Sequence, residues 1–347
     1  MHVRAFLTCS TECHAILLRS QTDLRYNSLI HDLAGRKAGN RMREDYSEEL
    51  CARLCLLTYM AWDDSLPRTF TRAALQALDE NAVLDGLVLR EPASVPQKTL
   101  LRARLLLTRT TGVFEQIQRY EKQGYCGLVR KSSNWPDALH VLRKDEPHFL
   151  FAKGNLKLLK TDCVAVAGSR IITEETAVMA ARLGRMMASE KLTMVCGGAN
   201  GVDTAAQNAI LDAGGNLIIV PAVSAEKVIR QERERRALDE GRLLVLCDAL
   251  PDSPFSSHKA LGRNHTIYAL GRAAIVVASR NGMGGSWHGA TDCLKGGFSP
   301  VFAPDEPWAD CDGNRALYDY GALPIDLSGK KTIKYQIRKK KKSDSKR

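Results

Sequence analysis

The stretch "LTMVCGGANGVDTAAQNAI", residues 192–210, runs from apolar residues into two glycines, then a third glycine, an acid and a helix-like pattern. The apolar part is short and unbroken, which suits a strand buried on both faces of a parallel sheet. Residues 197–203 then form a strand-to-helix turn. Such a turn admits a nucleotide, a phosphate backbone, or nothing beyond tight packing.

The same rhythm recurs on both sides of it. Short apolar runs lie at 163–169, 193–198, 216–222, 243–248, 274–279 and 300–304. Between them stand "EETAVMAARLGRMMASEK", "DTAAQNAILDAGG", "SAEKVIRQERERRALDEG" and "SWHGATDCLKGG", each with helical spacing and several ending in glycine. Alternating strands and helices predict an α/β, doubly wound, mostly parallel sheet of extended Rossmann-like type. Upstream, residues 47–126 carry helical patterns, including "SEELCARLCLLTYMAWD". The expected organisation is a small helical N-terminal domain over 1–130, the sheet domain over 131–328 and a lysine-rich disordered tail over 329–347.

Charge supports that division. The chain of 347 residues carries a net charge of +11, and +9 of it falls in "GKKTIKYQIRKKKKSDSKR" at 329–347. The body is therefore near neutral, and the tail is attracted to polyanions of any sequence. No run of 18 apolar residues exists, so no membrane-spanning helix is expected. Ten cysteines form no C-x-x-C, and no secretion signal opens the chain, so reduced thiols and a cytoplasmic location are expected. Cys9, Cys13 and His14 lack a second pair at zinc spacing, so no metal is expected there.

In a doubly wound sheet, ligands bind beyond the carboxyl ends of the strands. Three strand ends carry unusual loops: Gly168-Ser169-Arg170; Gly197-Gly198-Ala199-Asn200-Gly201-Val202-Asp203; and Asn281-Gly282-Met283-Gly284-Gly285-Ser286. Glycines admit an oxyanion close to the backbone, and N–H groups at a helix start point at it. Ser169 and Ser286 add hydroxyls, Arg170 adds a guanidinium fork, and Asp203 is placed to cap the following helix. Arg263 and Asn264 are read at the start of the helix before the fifth strand, where a cation and an amide again suit phosphate.

Several ligands and chemistries are disfavoured. G-x-G-x-x-G is absent, and "LIIVPA" ends without a ribose-binding acid, which argues against NAD. Neither G-x-x-x-x-G-K-[ST] nor G-x-S-x-G occurs. His258, His265 and His288 lie near these loops without partners at metal or triad spacing. The expectation is a phosphate pocket with no catalytic residue and no cofactor.

The order of these motifs resembles the DprA/Smf family of DNA-processing proteins. The resemblance runs through "NWPDALHVLRKDEPHFLFAKGN" (134–155), "VAVAGSR" (164–170), "CGGANGVDTAAQNAILDAGGNLIIV" (196–220), "GRNHTIYALGRAAIVVAS" (262–279), "GMGGSWHGATDCL" (282–294), "PVFAPDE" (300–306) and "GNRALYDYGALPI" (313–325). It implies binding of single-stranded DNA through its phosphates, with Gly168, Ser169, Arg170, Gly197, Gly198, Gly201, Arg263, Asn264, Gly284, Gly285 and Ser286 lining the pocket. It also implies help in loading the RecA recombinase during transformation or recombination, a homodimer, and no enzymatic activity. The sequence departs from the family pattern at Asn200, Gln207, His265 and Val277-Ala278-Ser279, and the lysine-rich tail stands where many members carry a winged-helix domain. The competing reading is a nucleotide sensor or nucleotide-processing enzyme using the same pocket.

Overall fold

The computed structural model describes residues 110–344 apart from 131, 256 and 306–310, together with a short antiparallel pair, Leu84–Asp85 with Val88–Leu89. The segment 1–46 and most of the helices expected over 47–109 lie outside the described residues; at Leu84–Asp85 and Val88–Leu89 the expected helix is corrected to a short antiparallel strand pair.

Described elements run α1 (Thr110–Lys122), β1 (Cys126–Val129), a 3-10 segment (Asp137–Asp145), β2 (Phe149–Gly154), a second 3-10 turn (Leu156–Lys160) and β3 (Cys163–Ala167). Then come α2 (Glu174–Ser189), β4 (Thr193–Cys196), α3 (Val202–Asp212), β5 (Asn216–Ile219), α4 (Ala225–Val228), α5 (Glu232–Asp239), β6 (Leu243–Cys247) and α6 (Ser257–Leu270). The chain continues through β7 (Ala274–Val276), α7 (Gly284–Gly296), β8 (Val301–Ala303), α8 (Asp312–Asp319), β9 (Leu323–Pro324) and α9 (Ile333–Asp344).

Nine strands form one sheet in the order β9-β8-β7-β3-β4-β5-β6-β2-β1. Strands β3 to β9 pair in parallel, while β2 runs antiparallel to both β6 and β1. The six strands read from the sequence are all present. β1 and β2 extend the sheet on the β6 side, and the first strand of the sheet begins at Cys126.

The unbroken apolar runs have a direct cause. Along β5, Leu217 and Ile219 enter one core layer while Ile218 and Val220 enter the other; along β6, Leu243, Val245 and Cys247 face away from Leu244 and Leu246. α2, α3 and α5 cover the first face, with Leu183, Ile210 and Ala237 buried against it. α6, α7 and α8 cover the second, through Ile267, Trp287 and Leu317. The central strands β4, β5 and β6 are thus covered on both faces, which removes the alternation with polar residues.

Two expectations are corrected. The helical segment at 224–241 is broken into α4 and α5, and the Arg235 guanidinium donates to the Arg230 carbonyl at the break. The tail expected to be disordered instead enters helix α9, with Ile333 and Ile337 buried. Their i, i+4 spacing puts both on one helical face. The Glu190 carboxylate accepts the first two α9 N–H groups, from Ile333 at 2.7 Å and Lys334 at 2.8 Å, which closes the helix start.

Candidate phosphate-binding site

Sheet order places the three unusual loops side by side. The chain builds outward from β3 through β4, β5 and β6, then returns so that β7 lies on the other side of β3. The β3/β7 junction is therefore the topological switch point, where the carboxyl ends leave a crevice. The loops after β7, β3 and β4 border it in that order.

Backbone contacts lock the loops together. Ser169 N–H donates to the Ala278 carbonyl beyond β7 at 2.9 Å, and Ser169 O accepts from Val202 N–H at the start of α3 at 3.2 Å. The Ser169 hydroxyl also turns inward, donating to Ala278 O at 3.3 Å. Gly201 has φ +83°, and a Cβ there would lie 2.3 Å from Ser169 O. Only glycine combines that conformation with that approach. Gly168 packs on Val202 in the same way. These glycines thus serve close packing between loops as well as exposure of backbone.

Asp203 does not cap α3. Gly201 is the N-cap residue, and Asp203 lies inside the first turn. Its buried carboxylate accepts from the N–H groups of Gly197 at 3.1 Å and Ala199 at 3.2 Å, so it shapes the glycine loop. Burial raises its pKa above the ordinary 3.8, opposed by the nearby Arg263 charge and by these N–H groups.

Arg263 and Asn264 do not open a helix either. They occupy the middle of α6, which begins at Ser257 and passes through Gly262 without interruption. From that position the two neighbours serve different loops. The Arg263 guanidinium fills the space beneath Gly197, where a Cβ would lie 1.7 Å from Nη1. Asn264 Nδ2 donates to Gly285 O at 3.2 Å and holds the first turn of α7. Arg263 is only 6% exposed and its Nε is buried without a hydrogen-bond partner. Burial lowers its pKa from the usual guanidinium range, with Asp203 acting in the opposite sense.

Gly284, Gly285 and Ser286 form the first turn of α7, which has no side-chain cap. No atom lies within 4 Å of a Cβ built on Gly282 or Gly284. Arg170 is exposed, and its guanidinium stands 5.3 Å from the Phe255 ring centroid. Asn200 and Gly198 complete the loop after β4; Asn200 is exposed and Gly198 adopts φ +65°. Sequence reasoning missed an apolar rim: Phe255 is 48% exposed, Ile171 78% and Met283 64%. Their only sequence signal is adjacency to the loops.

Cys196, beside the loop, is a poor nucleophile, since burial pushes its thiol far up. Gln207, which replaces the resembled family's histidine, donates to buried Glu234 at 2.7 Å. Among the described residues no group of three or more His, Cys, Asp or Glu side chains could hold a metal ion. No described helix is long and apolar enough to cross a membrane.

Fold and site together define a Rossmann-like α/β protein with cationic and backbone donors gathered at its switch point. The family model of DNA recombination-mediator protein A matches residues 127–334, more than half of the chain, and the chain belongs to that family. A curated relative, the DNA processing protein DprA of Streptococcus pneumoniae, is 36% identical over 139 residues, covering 39% of this chain and 48% of that protein. The chain thus spans about half the length of that relative. The X-ray structure of Streptococcus pneumoniae DprA aligns with TM-score 0.59 and 24% identity, covering 82% of this chain and 95% of that one, and shares the fold. DprA from Helicobacter pylori, solved for its single-stranded DNA binding mode, aligns with TM-score 0.51 and 25% identity, covering 63% of this chain and 96% of that one.

Proposed function

We propose that this protein binds single-stranded DNA through its backbone phosphates at the β3/β7 switch point, without catalysing a reaction on it. The observation that carries this reading is Arg263, a buried guanidinium with an unpartnered Nε under the Gly197 turn. A buried cation is costly unless paired; Asp203 offsets its charge from nearby without bonding to it, and an oxyanion at the loops would supply the direct partner. Arg170, the Ser286 hydroxyl and the open first turn of α7 supply further donors.

The rim favours a single strand over duplex and over a lone nucleotide. Arg170 with Phe255 offers a flat cationic and aromatic platform, and Ile171 and Met283 are exposed beside it. Unpaired bases stack on such surfaces whatever their identity. Gly282 and Gly284 face open space, which suits a passing polymer better than an enclosed mononucleotide. Family membership and the DNA-processing relative support the same reading. Assistance to a RecA-type recombinase, homodimer formation and a cytoplasmic location belong to the proposal through the family resemblance.

Thermal-shift measurements separate the two ligand classes. A short oligothymidylate stabilises the protein and Arg170→Ala abolishes the shift, while a panel of nucleoside phosphates leaves it unshifted. Stabilisation by one mononucleotide and not by the oligonucleotide would overturn the proposal in favour of a nucleotide sensor.

A further inference from the structure

One helix away from the glycine loop lies an open groove of about 540 Å³ lined by Lys153, Lys227, Ile229, Arg230, Arg235 and Leu238, and by one acid, Glu226. We infer that this groove is a second phosphate cradle, which takes the single strand as it leaves the switch-point site. The inference rests on the proposed function, because it extends the path of the same polymer.

Three observations carry it. The first is position. α4 separates the two sites: Val228 Cγ1 lies 3.6 Å from a Cβ built on Gly198, while the adjacent Lys227, Ile229 and Arg230 line the groove. A chain crossing α4 passes directly from one to the other.

The second is charge. Four cations line the groove against one carboxylate, and that carboxylate is already engaged. Glu226 Oε1 accepts from Lys153 Nζ at 3.1 Å and from the Tyr125 hydroxyl at 3.1 Å. Lys227 and Arg230 are exposed and form no ion pair among the described residues, and Arg235 is held by a backbone carbonyl rather than an acid. The groove therefore keeps an uncompensated positive charge in a concave setting, which concentrates field on an anion.

The third is shape. The Arg235 guanidinium donates through Nε and Nη2 to Arg230 O, which fixes the bend between α4 and α5 and the orientation of the groove wall. Ile229, buried, and Leu238, partly buried, add apolar side chains to the same lining. A lining that combines cations with apolar side chains suits a strand in which phosphates alternate with sugars and bases.

The test compares oligothymidylates of about 4 and about 16 nucleotides, a range spanning known single-strand footprints. Anisotropy is read on the full chain, the Lys227→Glu/Arg230→Glu variant and Arg170→Ala. Both groove side chains are exposed, and circular dichroism confirms that the variant is folded. The inference expects the variant to bind the short oligomer as the wild type does and to lose most of the gain in affinity on lengthening. Its salt dependence on the long oligomer flattens by about 1.4 in log–log slope, as two phosphate contacts are removed. An undiminished length gain in the variant overturns the cradle and leaves the switch-point site standing. Equal weakening on both lengths also overturns it, because the groove would then not be a separate contact. If Arg170→Ala leaves binding of the short oligomer unchanged, the switch-point reading itself fails.

Discussion

Gly197→Ala tests whether the buried guanidinium stands where the site needs it. A Cβ on Gly197 would lie 1.7 Å from Nη1 and 2.3 Å from Cζ of Arg263. Restoring an ordinary contact of about 3.5 Å moves the guanidinium by on the order of 2 Å. The residue is 6% exposed, so its surroundings must move with it. Overpacking of this kind costs about 1–3 kcal/mol. At about 2–4 °C per kcal/mol for a domain of this size, Tm falls by roughly 2–12 °C. A hydrogen bond to a charged group is worth about 1.5–3 kcal/mol, so single-strand affinity falls by about 10- to 100-fold. The matched control is Gly262→Ala on α6, where a Cβ meets nothing within 4 Å. That change raises stability by up to about 1 kcal/mol through helix propensity and leaves affinity alone. Differential scanning fluorimetry and anisotropy read both quantities. If Gly197→Ala matches the control in Tm and affinity, Arg263 does not lie under the loop and the reasoning fails.

Three further outcomes follow from the geometry. The Asp203 carboxyl has a folded pKa raised above 3.8 by burial, so between 3.8 and that folded value the native state holds more proton than the unfolded chain. This group therefore adds stability as pH falls through that window, fully below 3.8 and not at all above the folded pKa; the Tm of the wild type relative to Asp203→Asn rises on acidification, and a relative fall would contradict the assignment. Ile333→Ala, which empties a fully buried position on α9, lowers stability by about 2–5 kcal/mol; an unchanged denaturant midpoint would mean that α9 does not dock. Phe255→Ala removes one stacking surface and weakens oligonucleotide binding by about 1–3 kcal/mol with Tm nearly constant; equal affinity would show that the rim carries no base.

The parallel sheet was legible because both of its faces are covered, which makes each strand a short apolar run without polar alternation. β9, at Leu323–Pro324, was too short to leave such a pattern, and β2 lay within "HFLFAKGN", read only as part of a family motif. The three loops were legible as glycine punctuation after apolar runs. What their glycines contact was not, since Gly197 answers to Arg263, 66 positions further along the chain, and Gly201 to Ser169 across a strand. Arg263 and Asn264, read at a helix start, lie mid-helix because the helix begins at Ser257 and runs through Gly262. Asp203 looked like a cap because an acid near a helix start usually is one, and its two loop partners depend on the closed turn. The tail was read by its lysines alone; the Ile333/Ile337 pair and the distant Glu190 decide that it docks.

The most direct test of the central claim is an anisotropy titration of single-stranded and duplex oligonucleotides of equal length. The chain is ended at Arg338, which removes the lysine cluster of 339–342 and keeps Ile333 and Ile337. The switch-point account predicts tighter binding of the single strand than of duplex, and a loss of about tenfold or more in Arg170→Ala/Arg263→Met, as two charged phosphate contacts disappear. Equal binding of duplex, or affinity that survives both substitutions, would contradict it.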